Sequence, residues 1–135
     1  MTERTFVIIK PDAVRAGIVG EILSRYEREG LGLEAIEMRS IDGDFADRHY
    51  AAHLERDFYP PLREFMTSGP VVAVVVSGPD AIQRVRTIHG ATDPAEAAPG
   101  TIRADHATSV RENAVHGSDS PESAEAEIAL WFPRG

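Results

Sequence analysis

The segment Val71-Val72-Ala73-Val74-Val75-Val76 is the strongest strand signal in this sequence. Its residues are apolar at every position and mostly β-branched, which is typical of a strand that is buried on both faces. Such a strand belongs in the middle of a sheet. We therefore expect a sheet centred on residues 71–76, which the chain leaves at Ser77-Gly78-Pro79.

Shorter apolar patterns predict the other elements on both sides of this strand. Further strands are expected at residues 5–10, 33–41 and 114–116. Helices are expected at residues 19–29, 42–53, 62–66, 80–88 and 120–132, with Asp80 and Ser120 as N-caps of the last two. Residues 89–111 lack periodicity, and so long a loop in a small domain is expected to be functional. This order predicts a split β-α-β sandwich with four strands and helices on one face.

Composition and charge exclude several classes of protein. The 135 residues, 42% of them hydrophobic, suit a single soluble domain, and no apolar run approaches the roughly 20 residues of a membrane span. The N-terminus has no secretory signal, so we expect the cytoplasm. Without cysteine, disulfides and thiolate chemistry are excluded. The net charge of -8 disfavours nucleic acid, so an anionic ligand must meet a local cluster of cations.

The stretch from Asn113 to Pro121 contains the most informative histidine. Ala114 and Val115 are expected to end a buried strand, Gly117 to turn the chain, and Ser120 to cap the next helix. His116 would then be held rigidly between strand and helix, beside a cleft. A neutral imidazole offers the lone pair that a nucleophile needs. A capping or surface histidine explains this stretch equally well when it is taken alone.

Three cations are placed where they can converge over His116. Lys10 follows a strand, Arg86 lies on a helix side, and Arg103 lies in the long loop. A transferring phosphoryl group needs its oxygens neutralised while a nitrogen attacks in line, so this set predicts a phosphate site. Each cation alone would pass for a solvated surface charge.

Other side chains allow a functional and a structural interpretation. Tyr50 and Thr92 can donate hydroxyl hydrogen bonds to phosphate, or serve as packing and capping groups. Phe58 can stack on a nucleobase, or fill the core. His49 and His53 have helical spacing, but no HExxH motif surrounds them, so we expect no protein metal site. The phosphate-binding GxxxxGK[ST] and GxGxxG loops are also absent from the sequence.

Several motifs together resemble the nucleoside diphosphate kinase family over residues 5–132. They are Lys10-Pro11-Asp12, Pro99-Gly100-Thr101-Ile102-Arg103, the histidine stretch 113–120, and Ser123-Ala124-Glu125 leading to Trp131-Phe132. The resemblance implies a single kinase domain over residues 1–135 with a ferredoxin-like α+β fold and a four-stranded antiparallel sheet. It also implies a ping-pong enzyme that passes the γ-phosphate of a nucleoside triphosphate to a nucleoside diphosphate and so balances (deoxy)nucleotide pools.

The resemblance also implies a role for each candidate residue. His116 would carry the phosphate on Nδ1, oriented by Glu127, which would otherwise be an ordinary exposed helix glutamate. Lys10, the third catalytic group, would bind the sugar hydroxyls with Asn113, and Phe58 would stack on the base. The phosphates would be bound by Tyr50, Arg86, Thr92 and Arg103. A Mg²⁺ ion would lie beside them, held mainly by the nucleotide itself. Family members are mostly homohexamers, sometimes tetramers or dimers.

Some positions depart from the family pattern. Ala104 and His106 replace a glycine and a phenylalanine, Ser77 a glutamate, Asp57 a proline, and Arg111-Glu112 a glycine-arginine pair. None of these positions is expected to touch the transferred phosphate, so the departures bear on loop rigidity, base affinity and subunit contacts. A non-catalytic nucleotide-binding scaffold is the rival interpretation, although a scaffold has no reason to keep His116, Glu127 and the three cations.

Overall fold

The computed structural model describes residues 2–133 and contains one four-stranded antiparallel sheet. Its strands lie in the order β2-β3-β1-β4. They are β1 (Thr2–Ile9), β2 (Gly32–Arg39), β3 (Val71–Pro79) and β4 (Val115–Gly117). Residues 71–76 are buried in the centre of the sheet, where they pair with β1 on one side and β2 on the other. The predicted ferredoxin-like α+β fold is therefore confirmed.

Five of the helices follow the order expected from the sequence, and two short ones, at residues 11–15 and 102–106, were not predicted. The helices are α1 (Pro11–Arg15), α2 (Val19–Arg28), α3 (Gly43–His49), α4 (Tyr59–Met66), α5 (Ala81–His89), α6 (Ile102–His106) and α7 (Pro121–Trp131). The long segment 89–111, predicted as a loop, contains α6 and a 3₁₀ turn at Pro94–Glu96. Between residues 2 and 133, no helix is both long and apolar enough to cross a membrane.

Helices pack on both faces of the sheet. Val7 and Ile9 of β1 pack on one face with α2 and α5, whereas Phe6 and Ile8 pack on the other with α3, α4 and α7. The prediction of helices on one face was therefore incomplete. The reason is that β1 and β3 are apolar at successive positions, so both faces of the central strands must be covered.

Two local predictions around the strand ends were wrong. Gly117 does not turn the chain but belongs to β4, and a Cβ added there would lie 3.1 Å from His89 Cε1. Glycine at this position favours close packing against His89 rather than a turn. Asp80 precedes α5 but forms no side-chain cap hydrogen bond. Instead Glu3 Oε1 accepts the Ile82 N–H at 2.9 Å.

Candidate active site

A cavity of about 1240 Å³ opens beside the end of β4, and it collects the sequence-predicted site residues. Its walls come from elements distant in the sequence: the β1–α1 corner, α3 and α4, α5, the 89–111 segment, β4 and α7. The predicted residues that line it are Lys10, Tyr50, Phe58, Arg86, Thr92, Arg103, Asn113, His116 and Glu127. The fold therefore brings the whole predicted set into one cleft.

His116 lies on β4, where its register partner is Ile8 of the neighbouring strand β1. Its ring is partly exposed to the cleft, and Nε2 lies 3.2 Å from Glu127 Oε1 on α7. Since an ionised carboxylate only accepts hydrogen bonds, this contact places the ring proton on Nε2. The other nitrogen, Nδ1, has no hydrogen-bond partner within residues 2–133, so it is the nitrogen that carries the lone pair of the neutral ring.

Glu127 is fixed by a second hydrogen bond that sequence reasoning did not assign. The buried Ser118 donates its hydroxyl to Glu127 Oε1 at 2.6 Å. Burial opposes ionisation of Glu127, but the hydrogen bonds from His116 and Ser118 outweigh it and lower the pKa of the carboxyl. Glu127 is thus a carboxylate fixed by two hydrogen bonds rather than an exposed helix glutamate. The available signal was the spacing of His116 and Ser118, two residues apart along an extended segment.

Lys10 is buried, with only 7% of its surface exposed, and donates to Asn113 Oδ1 at 2.9 Å. Burial, helped by the nearby Arg103, lowers the pKa of Lys10 to about 8, while Asp12 acts in the opposite direction. Lys10 is therefore no solvated surface charge. Its ammonium is poorly hydrated, which makes it available to an anionic or hydroxylated ligand.

Arg103 and Arg86 complete the cationic wall of the cleft. Arg103 donates to the Gly90 carbonyl at 2.8 Å and to the Val115 carbonyl at 2.7 Å. It thereby ties the long segment to β4. Burial and the neighbouring Arg86 lower the pKa of Arg103 to about 10, so the Arg103 guanidinium stays charged at neutral pH. Arg86 itself is exposed to the cleft.

The remaining predicted residues lie along the length of the cleft. Tyr50 is almost wholly buried, and burial raises the pKa of its hydroxyl, which stays protonated. The Thr92 carbonyl accepts a hydrogen bond from Asn113 Nδ2 at 3.1 Å. Phe58 is 50% exposed at the cleft wall, next to His53. The core-filling alternative for Phe58 is thus excluded, since half of its surface faces solvent.

His49 is the cleft residue whose surroundings the sequence pattern did not indicate. Its ring lies edge-on to His116, with 5.2 Å between centroids, and burial lowers its pKa to about 3. One candidate ligand atom each from His49, His116 and Glu127 lie within 4.8 Å of one another, which raises the question of a metal. However, Trp131 Nε1 donates to His49 Nδ1 at 3.0 Å. The His49 proton then sits on Nε2, so neither nitrogen offers a lone pair to a metal.

The family model described as nucleoside diphosphate kinase matches residues 3–135. This chain belongs to the nucleoside diphosphate kinase family. It is 60% identical to a nucleoside diphosphate kinase of a Nocardioides species over 133 residues, 98% of each chain. It is 61% identical to that of Rhodococcus opacus over 135 residues, 99% of this chain and 97% of the relative.

Solved structures agree with this assignment. A crystal structure of the Aquifex aeolicus nucleoside diphosphate kinase superposes with a TM-score of 0.95 at 49% identity and covers 98% of this chain and 96% of its own. The crystal structure of the apo enzyme of Encephalitozoon cuniculi superposes with a TM-score of 0.94 at 40% identity and covers 96% of this chain and 88% of its own. The resemblance drawn from the motifs is confirmed, and with it a phosphotransferase that acts between nucleotides.

Proposed function

We propose that His116 carries the phosphoryl group in two half-reactions, and that residues 1–135 form one nucleoside diphosphate kinase domain. In the first half-reaction, the Nδ1 lone pair attacks the γ-phosphorus, the bond to the bridging oxygen breaks, and a nucleoside diphosphate leaves. In the second, a terminal oxygen of another diphosphate attacks the phosphorus and the P–N bond breaks. The observation that supports this most strongly is the 3.2 Å contact of Glu127 with Nε2, which leaves Nδ1 free.

The three cations suit the charge that moves during this transfer. In the loose transition state, charge spreads over the equatorial oxygens of the phosphoryl group. Lys10, Arg86 and Arg103 line the same cleft as His116 and supply positive charge there. Burial leaves Lys10 and Arg103 poorly hydrated and lowers the pKa of each, and their attraction to phosphate is strengthened accordingly.

The nucleotide would lie along the cleft with its base outward. We assign base stacking to Phe58, the sugar hydroxyls to Lys10 and Asn113, and phosphate hydrogen bonds to Tyr50 and Thr92. The nucleotide is expected as its Mg²⁺ complex. Glu127 is already hydrogen-bonded to His116 and Ser118, so Mg²⁺ would be held by the phosphate oxygens, as is usual for this ion, and would neutralise part of their charge.

We also propose a cytoplasmic homo-oligomer, a hexamer in preference to a tetramer or dimer. Support comes from the edge strand β2, which leaves Ile36 51% and Met38 59% exposed. Large apolar side chains on an open strand edge favour contact with another chain. Light scattering during size-exclusion chromatography measures the mass directly, and a monomeric mass would contradict this proposal.

A steady-state experiment separates this enzyme from a nucleotide-binding scaffold. With ATP as donor and a second nucleoside diphosphate as acceptor, double-reciprocal plots at several acceptor concentrations should be parallel, because the first product leaves before the acceptor binds. Intersecting lines would indicate direct transfer between two bound nucleotides. No transfer at all would leave the scaffold interpretation.

Phe58→Ala should weaken the binding of every nucleotide tested. Loss of a stacking platform costs roughly 1–3 kcal/mol per base, which corresponds to an increase in KM of about 5- to 150-fold. Because stacking does not read the base edge, differences between purine and pyrimidine diphosphates should also shrink. The measurement is KM for a panel of diphosphates at saturating donor.

Leu54→Ala is a matched control for Phe58→Ala, because Leu54 is similarly exposed but does not line the cleft. Its KM values should stay at those of the unmodified enzyme. A Phe58→Ala enzyme that loses affinity for one base only would show that the base edge is read, against the proposed stacking role.

A further inference from the structure

Ala114, two residues before His116, has a backbone conformation that alanine rarely adopts. Its φ is 74°, and the Val115 N–H donates to the Asn113 carbonyl across it at 2.9 Å. This closes a three-residue turn of the strained kind, for which an L-residue with a side chain is unfavourable. Ala114 is also only 1% exposed. The surrounding structure must therefore hold the turn in place.

The β1–α1 corner supplies that hold. Asp12 Oδ2 accepts the Ala114 N–H at 3.0 Å, and the Lys10 N–H donates to the Ala114 carbonyl at 2.9 Å. Both polar backbone groups of the strained residue are thus bound to one short segment. The second carboxylate oxygen, Asp12 Oδ1, is buried without a hydrogen-bond partner among residues 2–133. Burying a carboxylate oxygen without a partner costs free energy, so we expect Asp12 to have a role beyond filling space.

The turn controls two parts of the proposed machinery. On one side, Asn113 Oδ1 accepts a hydrogen bond from the Lys10 ammonium, and Asn113 Nδ2 donates one to the Thr92 carbonyl. On the other side, the chain runs directly into His116. On the basis of the function proposed above, we infer that Asp12 is a positioning residue for phosphoryl transfer. Its hydrogen bond to the Ala114 N–H fixes the turn at Ala114. This turn then sets the positions of Asn113, Lys10 and His116.

The same carboxylate acts on the charge of Lys10. The charged or titratable groups that face Lys10 are Asp12 from α1, Arg103 from α6, His49 from α3 and His89 from α5. Burial and Arg103 lower the pKa of Lys10, whereas Asp12 raises it. Without the negative charge of Asp12, the pKa of Lys10 should fall further below about 8. The ammonium would then lose its proton at a lower pH.

Comparing Asp12→Ala with Asp12→Asn separates the effect of the hydrogen bond to Ala114 from the effect of side-chain size. The alanine variant loses the acceptor for the Ala114 N–H, and phosphorylation of His116 in a single turnover should slow by about 10- to 100-fold, the size of effect that small misplacements produce. The asparagine variant keeps an acceptor oxygen, so most of that rate should return. The readout is normalised to the folded fraction, measured by circular dichroism.

The pH profile gives a readout that a purely structural role would not move. For Asp12→Asn, the alkaline limb of kcat/KM should shift to lower pH, since Lys10 deprotonates earlier. Glu3→Gln is the matched control, because Glu3 also accepts a partly buried backbone N–H, from Ile82, but at the opposite end of β1. Its alkaline limb should stay at the position found for the unmodified enzyme.

The outcomes distinguish this inference from the proposed function. If the unmodified enzyme forms no phosphohistidine, both fail. If it does, but Asp12→Ala is phosphorylated at the same rate, or the alkaline limb of Asp12→Asn does not move, the positioning role of Asp12 is overturned while the function stands. If Asp12→Ala does not fold, the inference is tested by the position of the alkaline limb of the kcat/KM profile of Asp12→Asn.

Discussion

His116→Ala should abolish nucleoside diphosphate kinase activity. The substitution removes the atom that accepts the phosphoryl group, and loss of a catalytic nucleophile lowers kcat by about 10⁶-fold in well-studied enzymes. His116 is partly exposed, and among residues 2–133 its side chain makes one hydrogen bond, to Glu127, so folding should survive. The measurement is transfer of phosphate from ATP to a second diphosphate, together with covalent labelling.

The control for this substitution is His106→Ala. His106 lies at the end of α6, near Arg25, and does not line the cleft. Its activity should therefore stay within a few-fold of the unmodified enzyme. If His116→Ala retained activity at more than a trace, another nucleophile such as Ser118 or Ser120 would have to accept the phosphate.

Glu127→Gln should slow phosphorylation of His116 by roughly 10²- to 10⁴-fold, the range attributed to groups that orient and stabilise a reacting imidazole. Glutamine has nearly the same shape, but it lacks the charge that favours the proton on Nε2. The two ring tautomers then lie closer in energy, and the imidazolium character that builds during attack is no longer offset. Stability and nucleotide affinity should hardly change.

Single-turnover phosphorylation measures this effect without interference from product release. Glu125→Gln is the matched control, because Glu125 lies on the same helix α7 but is largely exposed and pairs with Arg4. It should phosphorylate at the normal rate. An unchanged rate in Glu127→Gln would mean that Ser118 or a backbone carbonyl holds the ring instead.

Elements that depend on neighbouring residues were predictable from the sequence. The valine run 71–76 is the central strand, helix α2 ends before Gly30, and Ser120 caps α7 by accepting the Ser123 N–H at 3.1 Å. Each of these features follows from local periodicity or capping chemistry. The position of Lys10 at a strand end was likewise readable from the proline that follows it.

Features made by contacts between distant residues were not predictable from pattern alone. Glu3 replaces Asp80 as the cap of α5 across 79 residues of sequence, and Trp131 fixes the His49 tautomer across 82. The left-handed turn at Ala114 is invisible in the sequence because alanine gives no sign of it. The role expected for Glu127 came from family resemblance alone, whereas those of Phe58 and Thr92 were also suggested by their side chains, and all three residues line one cleft.

The most direct test of the account is incubation of the enzyme with γ-labelled ATP in the absence of an acceptor. We expect one label on His116, on Nδ1 rather than Nε2, because Glu127 occupies Nε2. As a phosphoramidate, the label should survive base, be lost in acid, and be discharged by any nucleoside diphosphate. A label that persists in acid would identify a serine as the acceptor and contradict the phosphohistidine mechanism.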